Sequence, residues 1–216
     1  KKKIEVEELK AGTEIVALKN VSKLETTVTG DAAFVGKGVS KSSVDLKSTK
    51  KNTPKVVLQN TNFTKSDIKI SGKGAGTVKS NTGTFNQSKI TGGKKNDSVS
   101  FGNKASVNKG KFNLGKGSDS VTFAKGTTFK GKTTIDLGKG GKDVVTFGKE
   151  VKKGSVVINN FDKKDKLVVG KDTFKYNDIK KGAEIPGIKI NLAWFSYYIS
   201  SSSSSEELFF GLYVAA

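Results

Sequence analysis

The chain contains no cysteine, histidine, methionine or arginine among its 216 residues. Without cysteine there are no disulfides, thiol nucleophiles or cysteine-based zinc sites. Without histidine the commonest general base and transition-metal ligand are missing, and without arginine so is bidentate recognition of phosphate. No apolar run is long enough to span a bilayer, and the basic N-terminus is not followed by the apolar stretch of a signal peptide. Catalysis would therefore depend on carboxylates or lysines.

The formal net charge is +19, and every basic residue is a lysine. Such a charge suggests nucleic acid as a partner, because lysine neutralises phosphate. The lysines are spread along the whole chain, however, which is typical of a solvated, self-repelling surface. We therefore expect no specific nucleic-acid partner and no transmembrane segment. Loose binding to an acidic polysaccharide or a cell-envelope surface is the partner class that needs no fixed geometry.

A repeat of 22 to 24 residues runs through the second half of the sequence. Aligning it places Asp97, Asp119, Asp143 and Asp165 in one column. Shorter segments extend the pattern towards the N-terminus, each alternating apolar and polar residues and ending at glycine or a small polar residue. Two sets of strands emerge: one contains KSSVDLK, KSDIKIS, QSKITGG, KFNLGKG, TTIDLGKG and SVVINNF, and the other AAFVG, KVVLQ, TVKS, DSVSF, DSVTF, DVVTF and KLVVG.

This periodicity predicts an all-β fold, a parallel β-helix or β-roll solenoid of about six coils. Val99, Val121 and Val145 would stack inside it, beside a second stack of Phe101, Phe123 and Phe147. A β-sandwich is the alternative, but its strands have no reason to repeat in sequence. We predict an N-terminal cap or linker over 1–25, the solenoid over 26–170, and a non-repeat C-terminal cap or tail over 171–216.

The aspartate column resembles the glycine- and aspartate-rich nonapeptide of the repeats-in-toxin family, secreted bacterial proteins with a calcium-binding β-roll. LGKGSDSVT (114–122) matches best, GGKKNDSVS (92–100) has lysine at the third glycine position, and DLGKGGKDVVTF (136–147) carries one extra residue. The run VVINNFDKKDKLVVG (156–170) is similar to the segment that closes such domains. The resemblance covers 92–170 well and the first 90 residues only in general character.

The resemblance implies calcium bound between consecutive corner loops by hard oxygen ligands. The implied metal ligands are the carboxylates of Asp97, Asp119, Asp143 and Asp165 and the backbone of Gly93, Gly115 and Gly117.

Three departures from the family weaken the inference of calcium. The coil is longer than the family's two nonapeptides and closer to that of a three-sided helix. The remaining corners offer lysine and no aspartate, and Lys94, Lys116, Lys139 and Lys163 occupy one position of each aspartate loop. Stacked carboxylates repel, and either calcium or an interleaved ladder of lysines would neutralise them. The sequence leaves that choice open.

The C-terminal segment 187–216 differs from the repeats. It holds the only tryptophan, six consecutive serines and an acidic pair before an apolar end. The resemblance implies type I export through an uncleaved C-terminal signal, and SSSSSSEELFFGLYVAA (200–216) is similar to one in composition. A packing cap, or a strand added to a neighbouring molecule's sheet, fits the same segment.

Three functions follow from these patterns. The first, which we favour, is an extracellular or cell-surface structural solenoid that self-assembles into a layer, filament or matrix, with calcium as a candidate aid. The second is the C-terminal secretion and folding module of a larger exported enzyme or adhesin. The third, an enzyme, is disfavoured because the carboxylates repeat along a column instead of meeting in one cleft.

Overall fold

The computed structural model describes residues 5–9, 13–152 and 155–193. The strands and the helix of this part are, in chain order, β1 (Glu5–Leu9), β2 (Thr13–Leu18), β3 (Val21–Ser22), β4 (Glu25–Val28), β5 (Asp31–Gly36), β6 (Gly38–Ser40), β7 (Ser43–Ser48), β8 (Lys55–Gln59), β9 (Asn62–Thr64), β10 (Asp67–Gly72), β11 (Thr77–Asn86), β12 (Lys89–Thr91), β13 (Ser98–Asn108), β14 (Lys111–Asn113), β15 (Ser120–Phe123), β16 (Thr128–Lys130), β17 (Thr133–Asp136), β18 (Val144–Phe147), β19 (Val156–Phe161), β20 (Lys166–Val169), β21 (Asp172–Lys175), α1 (Tyr176–Lys180) and β22 (Ile188–Leu192).

These strands form a parallel β-solenoid of about seven turns, so the predicted fold class is confirmed, with one turn more than the predicted six. The first sheet has the order β1-β4-β7-β10-β12-β14-β17-β19-β22, and the second has the order β2-β5-β8-β11-β13-β15-β18-β20-β21. The two predicted sets of strands fall into these two sheets respectively. A third row of short pairings joins β3, β6, β9, the second halves of β11 and β13, and β16. Each full coil therefore has three sides.

The core consists of apolar side chains stacked at the same position of successive coils. Val99, Val121 and Val145 are in register in the second sheet and fully buried. Two residues further along the same strands, Phe101, Phe123 and Phe147 form an aromatic stack. The ring centroid of Phe123 lies 5.3 Å from that of Phe101 and 5.0 Å from that of Phe147. Both predicted ladders are confirmed. Because a single coil cannot cover these side chains, burial requires the neighbouring coil.

The chain turns between the third row and the first sheet through one residue with left-handed backbone. This residue has a φ of 50° at Lys41, 47° at Lys65, 48° at Gln87 and 51° at Lys109. Its backbone N–H donates to a carbonyl of the next coil, as from Lys65 to Asn86 O over 2.9 Å. The corner therefore keeps the inter-coil bonding continuous while the chain changes direction.

The C-terminal end departs from the repeat. The strand β21 pairs antiparallel with β20, and the half-buried side chains of Phe174, Tyr176 and Ile179 pack against the core. The chain then returns to the first sheet as β22, parallel to β19. The proposed export signal at 200–216 lies outside the described residues. No helix in the described part of the chain has the length and apolar character needed to cross a bilayer.

Candidate functional site: the aspartate column

Asp97, Asp119, Asp143 and Asp165 stand at the corner where the loops leaving the first sheet enter the second. Each immediately precedes a strand of the second sheet, namely β13, β15, β18 or β20. Because those strands are in register, the four residues stack coil upon coil. All four are buried, with at most 3% of their surface exposed. The structure thus brings together the four predicted carboxylates, and it places them on the inside of the solenoid.

Backbone N–H groups bind one oxygen of each carboxylate. Asp97 N–H donates to Asp119 Oδ1 over 2.6 Å, Asp119 N–H to Asp143 Oδ1 over 2.7 Å, and Asp143 N–H to Asp165 Oδ1 over 3.0 Å. The ladder ends where Gly76 N–H donates to Asp97 Oδ1 over 2.8 Å. Each carboxylate therefore satisfies the N–H of the equivalent residue one coil earlier. An unpaired buried N–H at this point would cost free energy, so the column closes the hydrogen bonding where the strand begins.

The second oxygens have different environments. Asp97 Oδ2 accepts Gly93 N–H at 2.5 Å, and Asp165 Oδ2 accepts Asp162 N–H at 2.7 Å. Asp119 Oδ2 is buried and has no hydrogen-bond partner in the described part of the chain. An unsatisfied carboxylate oxygen is costly when the group is ionised. The middle of the column is thus its electrostatically least favourable part.

Burial raises the pKa of all four carboxyl groups, against backbone hydrogen bonds that lower it. The pKa reaches about 7 at Asp119 and at Asp143, where neighbouring aspartates add a further increase through repulsion. Near neutral pH these two groups are therefore partly protonated, whereas an ordinary aspartate with a pKa of about 4 is ionised. Protonation is therefore a third way to neutralise the column.

The predicted glycines fit the tight stacking of the corner loops. A Cβ built on Gly115 would lie 2.4 Å from Gly93 O, and one on Gly117 would lie 2.5 Å from Lys95 O. The predicted carbonyl ligands already accept hydrogen bonds from the next coil: Gly93 O from Lys116 N–H, and Gly115 O from Lys139 N–H. These glycines permit close contact between coils, whether or not they also face a cation.

For calcium, the described residues contain no group of three or more acidic side chains placed together as metal ligands. Calcium at this column stays a prediction. The lysines of the same loops (Lys94, Lys116, Lys139 and Lys163) are exposed, whereas the carboxylates are buried. The repeat pattern suggested calcium or lysine as the partner of these carboxylates, whereas the donors that the structure shows on their oxygens are backbone N–H groups.

A second buried polar column, of serines, lies at the corner between the third row and the first sheet. Ser42 Oγ accepts Leu24 N–H, Ser66 Oγ accepts Ser42 N–H, and Ser88 Oγ accepts Ser66 N–H, at 2.9 to 3.0 Å. Each hydroxyl also donates to a carbonyl of its own coil two residues earlier. The signal in the sequence is a serine directly before three consecutive strands of the first sheet, β7, β10 and β12. The strand pattern alone does not distinguish these serines from other polar residues that flank strands.

A groove of about 700 Å³ lies beside β16, the last strand of the third row in the described chain. Its apolar wall contains Phe123, Phe129 and Phe147, and the one carboxylate in its described lining is Glu150. The described lining does not contain a pair of carboxylates of the kind that glycoside hydrolases use.

Comparisons with known proteins add no assignment: no protein-family model matches the chain, and no curated protein or solved structure matches it. The resemblance to the repeats-in-toxin family rests on the motif residues alone.

Proposed function

We propose that this chain is a secreted or cell-surface structural protein whose solenoid assembles with further copies into an extracellular layer, filament or matrix. The supporting observation is repetition inside the molecule. Buried columns of valine, phenylalanine, serine and aspartate perform the same packing or hydrogen-bonding task in coil after coil. Repeated positions build an extended scaffold, whereas a catalytic site needs different groups meeting at one place.

The second sheet offers a face on which copies can approach. Six outward side chains on β13, β15 and β18 form a patch without charge, which we call the hydroxyl face: Ser98, Ser100, Ser120, Thr122, Val144 and Thr146. Two molecules that each carry +19 repel one another, so an uncharged, flat face is where lateral contact costs least. The face is small, so assembly through it depends on many weak contacts acting together.

Assembly is tested by sedimentation and electron microscopy of the full chain over a wide concentration range. The proposal predicts oligomers or polymers at high concentration. Substituting Ser100→Lys together with Thr122→Lys should reduce assembly, because it places charge in the middle of the hydroxyl face. Ser106→Lys together with Thr128→Lys is the matched control, since it adds the same charge on the third row. If the chain stays monomeric and the exported protein has a catalytic domain upstream of it, the results would instead support a role as the secretion and folding module of a larger protein.

Calcium as an aid to this structure has its own test. Thermal melts are recorded with excess chelator and with millimolar calcium, for the natural chain and for Asp119→Asn. A calcium-dependent rise in midpoint that the substitution removes supports a calcium site in the column. An unchanged midpoint leaves backbone hydrogen bonds and protonation as the means of neutralising it.

A further inference from the structure

The middle of the solenoid carries surface charge of one sign. Between Asp67 and Asp136 the sequence has thirteen lysines, and its only acidic residues are Asp97 and Asp119. Both of these are buried in the aspartate column. The outer surface of these coils therefore presents lysine ammonium groups with no carboxylate from the same stretch between them.

One line of lysines lies at the corner between the third row and the first sheet. Six exposed lysines, which we call the lysine ridge, lie on consecutive coils at this corner: Lys65, Lys89, Lys109, Lys111, Lys130 and Lys132. Register places Lys89 beside Lys111, and Lys109 N–H donates to Lys130 O across the same corner. The Lys109 side chain runs along the solenoid axis, because its Cγ lies 2.8 Å from where a Cβ on Gly131 would be. The ridge is thus a line of positive charge parallel to the axis, with one exposed carboxylate, Asp67, in register with Lys89 at its N-terminal end.

Two of the ridge lysines occupy backbone positions that disfavour them. Lys65 and Lys109 have φ of 47° and 51°, a left-handed conformation that costs free energy for residues other than glycine and, to a smaller extent, asparagine. The chain uses asparagine for the left-handed corner between the second sheet and the third row, at Asn20 and Asn60. The other corner instead has lysine at Lys65 and Lys109 and glutamine at Gln87. Residues held in an unfavourable backbone conformation cluster at functional sites, and the exposed side chains of Lys65 and Lys109 are placed to contact a ligand.

We propose that the lysine ridge binds a linear acidic polysaccharide laid along the solenoid axis. Successive coils are about 4.8 Å apart, which suits a chain of carboxylated sugars with a charge on each unit. Lysine ammonium groups act as point charges and need no fixed bidentate geometry. Phe129, next to Lys130, is half-buried and packs against Phe123 and Phe147, so the ridge offers charge and not the fully exposed aromatic face on which bases stack. Binding of such a polymer would link the solenoid to an extracellular matrix, so this proposal rests on the proposed structural function.

Binding is measured with polygalacturonate by isothermal titration calorimetry at several salt concentrations, on protein that sedimentation shows to be monomeric. This choice separates the result from self-assembly, because failure to polymerise does not affect it. The probe controls are methyl-esterified polygalacturonate, which keeps the chain and removes its charge, and duplex DNA at equal charge concentration.

The ridge variant replaces Lys89, Lys109, Lys111, Lys130 and Lys132 with glutamine. The matched control replaces five exposed lysines near the aspartate loops: Lys73, Lys94, Lys116, Lys139 and Lys142. Each variant removes the same number of charges from the net +19. The ridge variant should lose about a hundredfold in affinity and flatten the salt dependence, and the control should lose less than about tenfold. Circular dichroism confirms that both fold, and Lys111→Glu serves as a single-site version if the multiple variant does not.

Equal losses in the two variants would overturn the proposal, because they would show that diffuse charge binds the polymer. So would equal binding of the methyl-esterified chain. Tighter, ridge-dependent binding of duplex DNA at the same salt concentration would replace the polysaccharide with nucleic acid as the partner.

Discussion

The two halves of the solenoid solve the same backbone problem with different chemistry. In the coils from Leu24 to Ser88, serine hydroxyls accept N–H groups of the preceding coil at one corner; from Gly76 to Asp165, aspartate carboxylates do so at another. Serine cannot ionise near neutral pH and also donates a hydrogen bond. Aspartate accepts two hydrogen bonds but becomes a buried charge when it ionises. The contribution of the serine column to the free energy of unfolding should therefore not change with pH near neutrality. The contribution of the aspartate column should change with pH.

The cores of the halves differ as well. At one position of the second sheet, Phe34 and Leu58 are followed by Ser80, Phe101, Phe123 and Phe147 in successive coils. Rings therefore lie on consecutive coils at this position only among the three phenylalanines of the aspartate side. Replacing Phe123 by alanine should lower the free energy of unfolding by about 3–5 kcal/mol, because it opens a cavity between two stacked rings. Urea unfolding checks this, with Leu58→Ala expected to cost less. A larger loss of stability for Leu58→Ala would show that the half with the serine column is the better packed.

The glycines of the aspartate loops are the next largest test. Gly117→Ala should cost about 2–3 kcal/mol, since its φ is 129° and the added Cβ meets Lys95 O. Gly140→Ala is the control: its φ is 71° and a Cβ there meets no atom within 4 Å, so only about 1 kcal/mol should be lost. Equal thermal midpoints for the two variants would show that the loops do not pack as closely as described.

Removing one acceptor from each column compares the columns directly. Ser66→Ala leaves Ser42 N–H without its acceptor and should cost about 1–3 kcal/mol at pH 5 and at pH 8 alike. Asp119→Ala leaves Asp97 N–H without its acceptor, with a similar cost at pH 5. At pH 8 its cost should be smaller, because the substitution also removes a buried charge. The same pH dependence in both variants would refute the distinction between the columns.

The sequence was sufficient to predict the core positions on strands whose alternation of apolar and polar residues repeats from coil to coil. Val121 and Phe123 could be placed in the core because their neighbours recur one period away with the same alternation. A coil of 22 to 24 residues indicated a three-sided helix, but the strands of the third row could not be located, because β9 and β16 have only three residues each and give too brief a pattern. The extra turn also escaped, since the corner lysines Lys23 and Lys41 are only eighteen positions apart, shorter than the repeat used for alignment.

The candidate site was predicted in composition but not in orientation. Asp119 could be assigned to a column from spacing alone. That its side chain points inward to a backbone N–H depends on where the strand of the neighbouring coil begins, which is a three-dimensional property. The serine column was missed for the same reason: Ser66 and Ser88 look like ordinary strand-flanking residues until the next coil is present.

The most direct test is the pH dependence of unfolding for the natural chain and Asp119→Asn, measured by urea titration in the presence of chelator. Asparagine keeps the acceptor oxygen but cannot ionise. The pKa of Asp119 is raised from 3.8 to about 7 by folding, so its favourable contribution is present below pH 3.8 and is lost as pH rises towards and through 7. The account predicts similar stabilities near pH 4 and a variant more stable at pH 8 by up to about 4 kcal/mol, which is roughly three pKa units at about 1.4 kcal/mol each. Parallel curves, or a variant that loses stability as pH rises, would contradict it.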